Sequence, residues 1–113
     1  MKKTYPTIIA GVGMVAFGKP GASDNYDVMG EAAIREALAD SGLDFTHIEQ
    51  AYAGYVYGDS TCGQKVIYKV GMTGIPVFNV NNNCSTGSSA LFMARQAVES
   101  GLVDCALAVG FEQ

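Results

Sequence analysis

The run Ala90-Leu91-Phe92-Met93-Ala94 places five consecutive apolar residues inside a stretch that reads as a helix. At about 3.6 residues per turn they point in every direction around the helix axis, so the helix has to be covered on all sides. A single sheet covers one face only, and a second layer must lie over the other. The helix runs from Ser85 to Ser100, is free of proline, and closes on Gly101, the residue type most often found just beyond a helix C-terminus.

Around this helix, strands and helices alternate. Thr7 to Val15 is rich in Ile, Val and small residues and reads as a buried strand leading into the glycine-bearing loop Gly13 to Gly21. Asp24, Asn25 or Asp27 can cap a helix whose apolar residues Val28, Met29, Ala32, Ala33, Ala37 and Leu38 recur at helical steps, ending at Ser41-Gly42. Gln50 to Tyr57 reads as a second strand, Val66, Ile67 and Val70 mark a further helix, Val77 to Val80 is a third strand and Val103 to Val109 a fourth. This alternation predicts an α/β fold with a parallel sheet and right-handed crossovers. Ligands of such sheets collect beyond the carboxyl ends of the strands.

Asn79-Val80-Asn81-Asn82-Asn83-Cys84 lies at such an end, where the third strand runs through asparagines into a cysteine at the start of the apolar helix. The unpaired N–H groups and the macrodipole of a helix start favour a thiolate over a thiol, which makes Cys84 a candidate nucleophile. Small residues follow it, Ser85, Thr86, Gly87, Ser88, Ser89 and Ala90, and leave the backbone open to close approach. The asparagines are assigned loop and cap chemistry.

Composition narrows the remaining classes. A formal charge of −4 without a basic cluster argues against a nucleic-acid partner. No apolar run is long enough to span a membrane, and Met1-Lys2-Lys3 is followed by Pro6, Gly11, Gly13 and Gly18 instead of the apolar core of a signal peptide. Cys62, Cys84 and Cys105 are odd in number and suit reduced thiols. No metal-ligand spacing occurs, and His47, the only histidine, reads as a solvated turn residue. Gly11-x-Gly13 with Gly18 departs from the spacing of a dinucleotide loop, Pro20-Gly21 interrupts it, and no acidic residue ends a following strand.

Several separated blocks, in order, resemble the sterol-carrier-protein type of thiolase. They are Gly54-Tyr55-Val56-Tyr57-Gly58-Asp59-Ser60-Thr61-Cys62-Gly63-Gln64, Gly71-Met72-Thr73-Gly74-Ile75-Pro76, Asn79 to Ala94, and Ala108-Val109-Gly110-Phe111-Glu112. The resemblance covers nearly the whole chain and implies a thiolase-like layered αβαβα fold of two similar halves. Residues 1–113 would then be an incomplete amino-terminal thiolase domain, most of the first βαβαβαβ half, lacking its last strand.

In that family the cysteine matching Cys84 attacks the keto carbonyl of a 3-oxoacyl-coenzyme A, the bond between the second and third carbons breaks, and the acyl group passes to a second coenzyme A. The resemblance therefore implies an acyltransferase of fatty-acid or sterol side-chain breakdown. Its partners would be acyl-coenzyme A and coenzyme A as co-substrate, with no permanently bound cofactor and no metal. The complete protein would be a homodimer or larger homo-oligomer, cytoplasmic, or peroxisomal in a eukaryotic source. The family's catalytic histidines and second cysteine lie later in the chain, and neither His47, Cys62 nor Cys105 matches them. This chain alone would thus carry a nucleophile without its base and be inactive. Two other readings stay open: a thiolase-like subunit that binds acyl-coenzyme A or lipid, or scaffolds a partner, without catalysis, and a condensing synthase of the same fold.

Overall fold

The computed structural model describes residues 3–19 and 21–112, so the Met1-Lys2 start and the proline of the Pro20-Gly21 break lie outside the described residues. The elements follow in the order α1 (Tyr26–Ser41), β1 (Gln50–Gly54), α2 (Cys62–Val70), β2 (Val77–Val80), α3 (Thr86–Glu99) and β3 (Ala106–Gly110), with 3-10 turns at Phe45–His47 and Asn83–Ser85.

The residues of β1 explain the arrangement. Successive side chains of a strand point to opposite faces, and Ala51, Tyr52 and Ala53 are all buried, so β1 has a layer on each side. It is the central strand, paired in parallel with β2 on one edge and with β3 on the other. Ala51 and Ala53 join Ile34 of α1, Val66 and Ile67 of α2, and Phe45, Ile48 and Val109 in one apolar cluster. Tyr52 joins Ala90, Ala94 and Ala97 of α3 and Val103 in another. Two helices therefore cover one face of the sheet and α3 covers the other. Truncating Val66 or Ile67, which are almost wholly buried, to alanine would cost about 1–5 kcal/mol through lost burial and the cavity left behind.

Helix α1 is capped by backbone alone: the Asn25 carbonyl accepts from the Val28 and Met29 N–H groups, and no side chain bonds the first turn. Asp27, a cap candidate by sequence, turns inward instead and pairs with Lys69 of α2, Nζ to Oδ2 at 3.3 Å. It thereby ties the two helices of one layer together. At its other end α1 stops at Gly42, whose φ of 72° lies in the left-handed region.

Thr7 to Val15 does not form the buried strand that its composition predicts. The segment has no ladder partner and lies extended along α1, where the Val12 N–H donates to Asp40 Oδ2 at 2.9 Å. Further back, the Tyr5 N–H donates to the Glu99 carbonyl at the end of α3 at 2.9 Å. A Cβ at Gly11 or Gly13 would collide with backbone atoms of Ala37 and Ala33, so glycine is what lets the segment lie this close to the helix. Ile8, Ile9, Val12 and Met14 are consequently exposed. The sheet has three strands among the described residues, and the βαβαβαβ order loses its first strand.

The other elements agree with the sequence apart from their ends. β1 stops at Gly54 rather than Tyr57, because the chain leaves the ladder there to form the loop before α2. β3 begins at Ala106 rather than Val103, because the Val103 N–H donates to the Ala97 carbonyl and belongs to the exit from α3. In α3 itself Ala90 and Ala94 lie on the sheet while Leu91 and Phe92 are 50% and 60% exposed, so among the described residues only one side of this apolar helix is covered. No helix among the described residues is long and apolar enough to cross a membrane.

The Asp27–Lys69 pair makes stability depend on pH. Burial raises the Asp27 carboxyl, but the hydrogen bond and charge of Lys69 outweigh it and hold the group below its usual value. A carboxylate depressed in the folded state stabilises above the unfolded value of about 3.9, and that contribution is lost as pH falls through the lower folded value. Melting curves between pH 7 and 2 are expected to show this acid-side loss, and Asp27→Asn is expected to lower the melting temperature near neutrality and flatten the acid limb.

Candidate active site

Parallel strands bring their C-terminal ends to one edge of the sheet, and here Gly54 of β1 stands opposite both Val80 of β2 and Gly110 of β3. Beyond Val80 the chain turns through Asn81, Asn82 and Asn83 into the 3-10 turn and α3, and each asparagine holds part of that turn. Asn81 Oδ1 accepts from the Asn83 N–H at 3.1 Å. Asn83 takes a φ of 50°, a left-handed conformation that asparagine tolerates better than most residues. Asn82 donates through its backbone N–H to Thr86 Oγ1 at 2.8 Å and through Nδ2 to Ser89 Oγ at 2.9 Å. The Thr86 hydroxyl donates in turn to the Asn83 carbonyl at 2.6 Å.

Cys84 is the middle residue of the Asn83–Ser85 turn and is exposed. The α-helix proper starts at Thr86 with Ser85 in the N-cap position, so Cys84 sits in the tighter turn that feeds α3 and not in its first α-helical turn. None of the hydrogen bonds among the described residues uses the Cys84 amide. A free amide beside an exposed thiol at a helix entrance is an arrangement that can bind a developing oxyanion while the sulfur bonds to carbon.

The position of this turn depends on Gly54. A Cβ there would lie 2.8 Å from Thr86 Cγ2 and 3.1 Å from the Thr86 carbonyl oxygen, so the start of α3 rests directly on the end of β1. Thr86 is buried in that contact. Sequence reasoning singled out the small residues after Cys84 as a group and missed that Thr86 is the one that clamps the turn. A hydroxyl residue just past a helix start, facing a glycine that ends a strand, was the available signal.

The other residues considered in the sequence lie elsewhere. His47 closes the turn before β1, its Nδ1 3.3 Å from the Asp44 carbonyl oxygen, at the opposite end of the sheet from Cys84. About 16 Å of strand separates the two ends, so His47 is not a base for this thiol. Cys62 is buried at the start of α2. Its hydrogen bond to Tyr26, and burial after that, push the Tyr26 phenol up to about 12. Burial, with the nearby charge of Glu49, pushes the Cys105 thiol up. No group of His, Cys, Asp and Glu placed to hold a metal ion occurs among the described residues.

Two of the hollows on the surface are defined by their lining residues. One of about 450 Å³ lies beside the end of α1 and Phe45, remote from Cys84. The other, about 190 Å³, is formed by the Tyr55–Ser60 loop facing Asn79, Val80 and Asn81, and it adjoins the cysteine turn.

Residues 7–113 match the family described as thiolase, N-terminal domain. The chain is 57% identical over 107 residues to sterol carrier protein 2 of Gallus gallus, an alignment that covers 93% of this chain and 20% of that protein. It is 39% identical over 114 residues to the benzoylsuccinyl-CoA thiolase subunit BbsB of Thauera aromatica, covering 99% of this chain and 29% of the subunit. Among solved structures, the priming β-ketosynthase of the R1128 polyketide biosynthetic pathway superposes with a TM-score of 0.71 at 20% identity, over 91% of this chain and 40% of its own, which supports the fold alone. The chain thus spans well under half of each of these proteins.

Two outcomes follow from the site geometry. Under limiting alkylation with peptide mapping, Cys84 is expected to react first, because Cys62 is buried and Cys105 is half-buried with its thiol pushed up. Gly54→Ala is expected to destabilise the fold by about 1–3 kcal/mol, measured by denaturant unfolding, because its methyl group must displace Thr86 and the start of α3.

Proposed function

Since the chain belongs to the thiolase family, we propose that it is the amino-terminal, nucleophile-bearing portion of an acyl-coenzyme A acyltransferase that cleaves 3-oxoacyl-coenzyme A with a second coenzyme A. The observation that carries this reading is Cys84, exposed in the turn at the C-terminal edge of the sheet with its amide free.

The chemistry is nucleophilic catalysis in two acyl transfers. The Cys84 thiolate attacks the keto carbon, forming a C–S bond and a tetrahedral oxyanion. Collapse of that oxyanion breaks the bond between the second and third carbons, and the electron pair leaves on the second carbon of the departing coenzyme A thioester, which takes up a proton there. The acyl group remains on Cys84 as a thioester. A second coenzyme A, deprotonated, then attacks this thioester and carries the acyl group away, returning the thiolate. During both transfers the Cys84 N–H would help stabilise negative charge on the bound oxygen. This reading takes its acid and base groups from other parts of the complete protein, since His47 lies at the far end of the sheet.

The BbsB relative, named as a thiolase subunit, supports acyl transfer. A second reading takes its support from the name sterol carrier protein 2: a thiolase-like unit that presents lipid without cleaving it. An exposed thiol on a turn whose backbone Thr86 holds by hydrogen bonds to Asn82 and Asn83 favours the first, because lipid carriage makes no chemical demand for a thiol. Three free cysteines suit a reducing compartment, the cytoplasm or, in a eukaryotic source, the peroxisome, and the functional unit is taken as a homodimer or larger homo-oligomer.

The complete protein is expected to consume a medium-chain 3-oxoacyl-coenzyme A only when free coenzyme A is supplied. Cys84→Ser is expected to lower kcat on the order of 10³-fold or more. Near-normal turnover in that variant would exclude the covalent mechanism, and lipid binding without turnover in the unaltered protein would establish the carrier reading.

A further inference from the structure

The loop between β1 and α2 leaves the sheet just past Gly54: the Tyr55 N–H still donates to the Val80 carbonyl at 3.2 Å, and the amides after it have no ladder to bond to. Two of them converge on one side chain 55 or more positions away: the Val56 N–H donates to Glu112 Oε1 at 2.8 Å and the Tyr57 N–H to Glu112 Oε2 at 3.0 Å. Glu112 follows β3, whose exit is fixed by the Phe111 N–H donating to the Gly54 carbonyl at 3.1 Å. The Phe111 ring stacks on Tyr55 with centroids 5.2 Å apart. Tyr55 carries the hold across the loop, its hydroxyl donating to the Asp59 carbonyl at 2.7 Å and accepting from the Cys62 N–H at 3.3 Å.

We propose that Glu112 is a positioning residue: its carboxylate fixes the Tyr55–Ser60 loop and so sets the shape of the cavity beside the Cys84 turn. The loop is one wall of that cavity and Asn79, Val80 and Asn81 are the other, and the latter wall runs on directly into Asn83 and Cys84. The Tyr55 N–H ties the two walls together through the Val80 carbonyl at 3.2 Å, and beyond that contact each wall is held by its own side chains. The cysteine turn depends on Asn81, Asn82 and Thr86, whereas the loop depends on Glu112 and Tyr55. The carboxylate gives each N–H its own acceptor oxygen, at 2.8 and 3.0 Å, whereas Oε1 alone would hold Tyr57 only at 3.5 Å. Glutamine offers one oxygen and turns an NH₂ toward the other N–H, and aspartate is a methylene too short to reach. Loss of Glu112 therefore loosens one wall of the cavity and leaves the nucleophile in place.

The kinetic arm of the test rests on the acyl-transfer reading above, and the exchange arm does not. In the complete protein, Glu112→Gln is expected to speed hydrogen exchange at Val56 and Tyr57 about tenfold, one lost charge-assisted bond, and Glu112→Ala to speed it further. The Gly63 amide, which donates to Asn79 Oδ1 at 2.7 Å, serves as the unaffected reference. With a 3-oxoacyl-coenzyme A, KM is expected to rise about five- to tenfold in Glu112→Gln at nearly constant kcat, while the alkylation rate of Cys84 is unchanged. Unaltered exchange at Val56 and Tyr57 would overturn the proposal. So would a fall in kcat with KM unmoved, or a parallel loss of Cys84 reactivity, either of which would make Glu112 a general structural support. If the unaltered protein has no thiolysis, the acyl-transfer reading fails by itself, and localised exchange with unchanged Cys84 alkylation still decides for Glu112 as the loop's anchor.

Discussion

The contact on which the rest of this structure depends is the seating of Thr86 on Gly54. A strand end without a side chain lets the first turn of α3 come down onto the sheet, and the threonine hydroxyl then closes the turn behind it by bonding Asn82 and Asn83. The same approach brings Gly87 beside Gly110 at the end of β3. Sheet, helix and cysteine turn are registered against one another at a single place, and any side chain at Gly54 would disturb all three. Close packing of this kind is felt at the level of one methyl group, because the interior has no spare volume to absorb it.

The two faces of β1 set the character of the two layers. Alanines on the face toward α1 and α2 leave room for the branched side chains Ile34, Val66 and Ile67 to reach the sheet. On the other face Tyr52 fills the space, and α3 meets it with alanines. Large therefore meets small across each interface, in opposite senses. The consequence for α3 is that its larger residues, Leu91 and Phe92, are turned away from the sheet, where they form an exposed apolar strip. An apolar strip on a helix already packed through its alanines is the form expected of a helix in a middle layer.

Elements with strong local signals were legible in the sequence: α1 with its glycine stop, β2 between Pro76 and the asparagines, and α3 with its small-residue start. The segment from Thr7 to Val15 was not, because composition reports burial tendency while strand formation needs a partner with free N–H and C=O groups. Its glycines, read as loop formers, serve instead to bring the backbone against α1. In the site, Cys84 could be found from its place after a strand and before a helix. The residues that hold it could not, because Thr86, Gly54 and Glu112 act through contacts between separated elements, and each has an ordinary local reading. Asp27 illustrates the same limit, since a capping residue and an interior ion-pair partner look alike until Lys69 is seen beside it.

Parallel topology also decides which of the chain's titratable groups can take part in chemistry at Cys84. Every strand C-terminus lies at one edge, so residues that precede strands, His47 among them, are carried to the other. Groups that follow strands remain as candidates, and here these are the asparagines, the Tyr55–Ser60 loop and Glu112. The Glu112 carboxylate is already engaged by two backbone amides. Under the acyl-transfer reading, a proton acceptor for the thiol would approach from the open side of the turn. That is the side on which Cys84 is exposed, so its exposure and the lack of a histidine beside it among the described residues are two consequences of one arrangement.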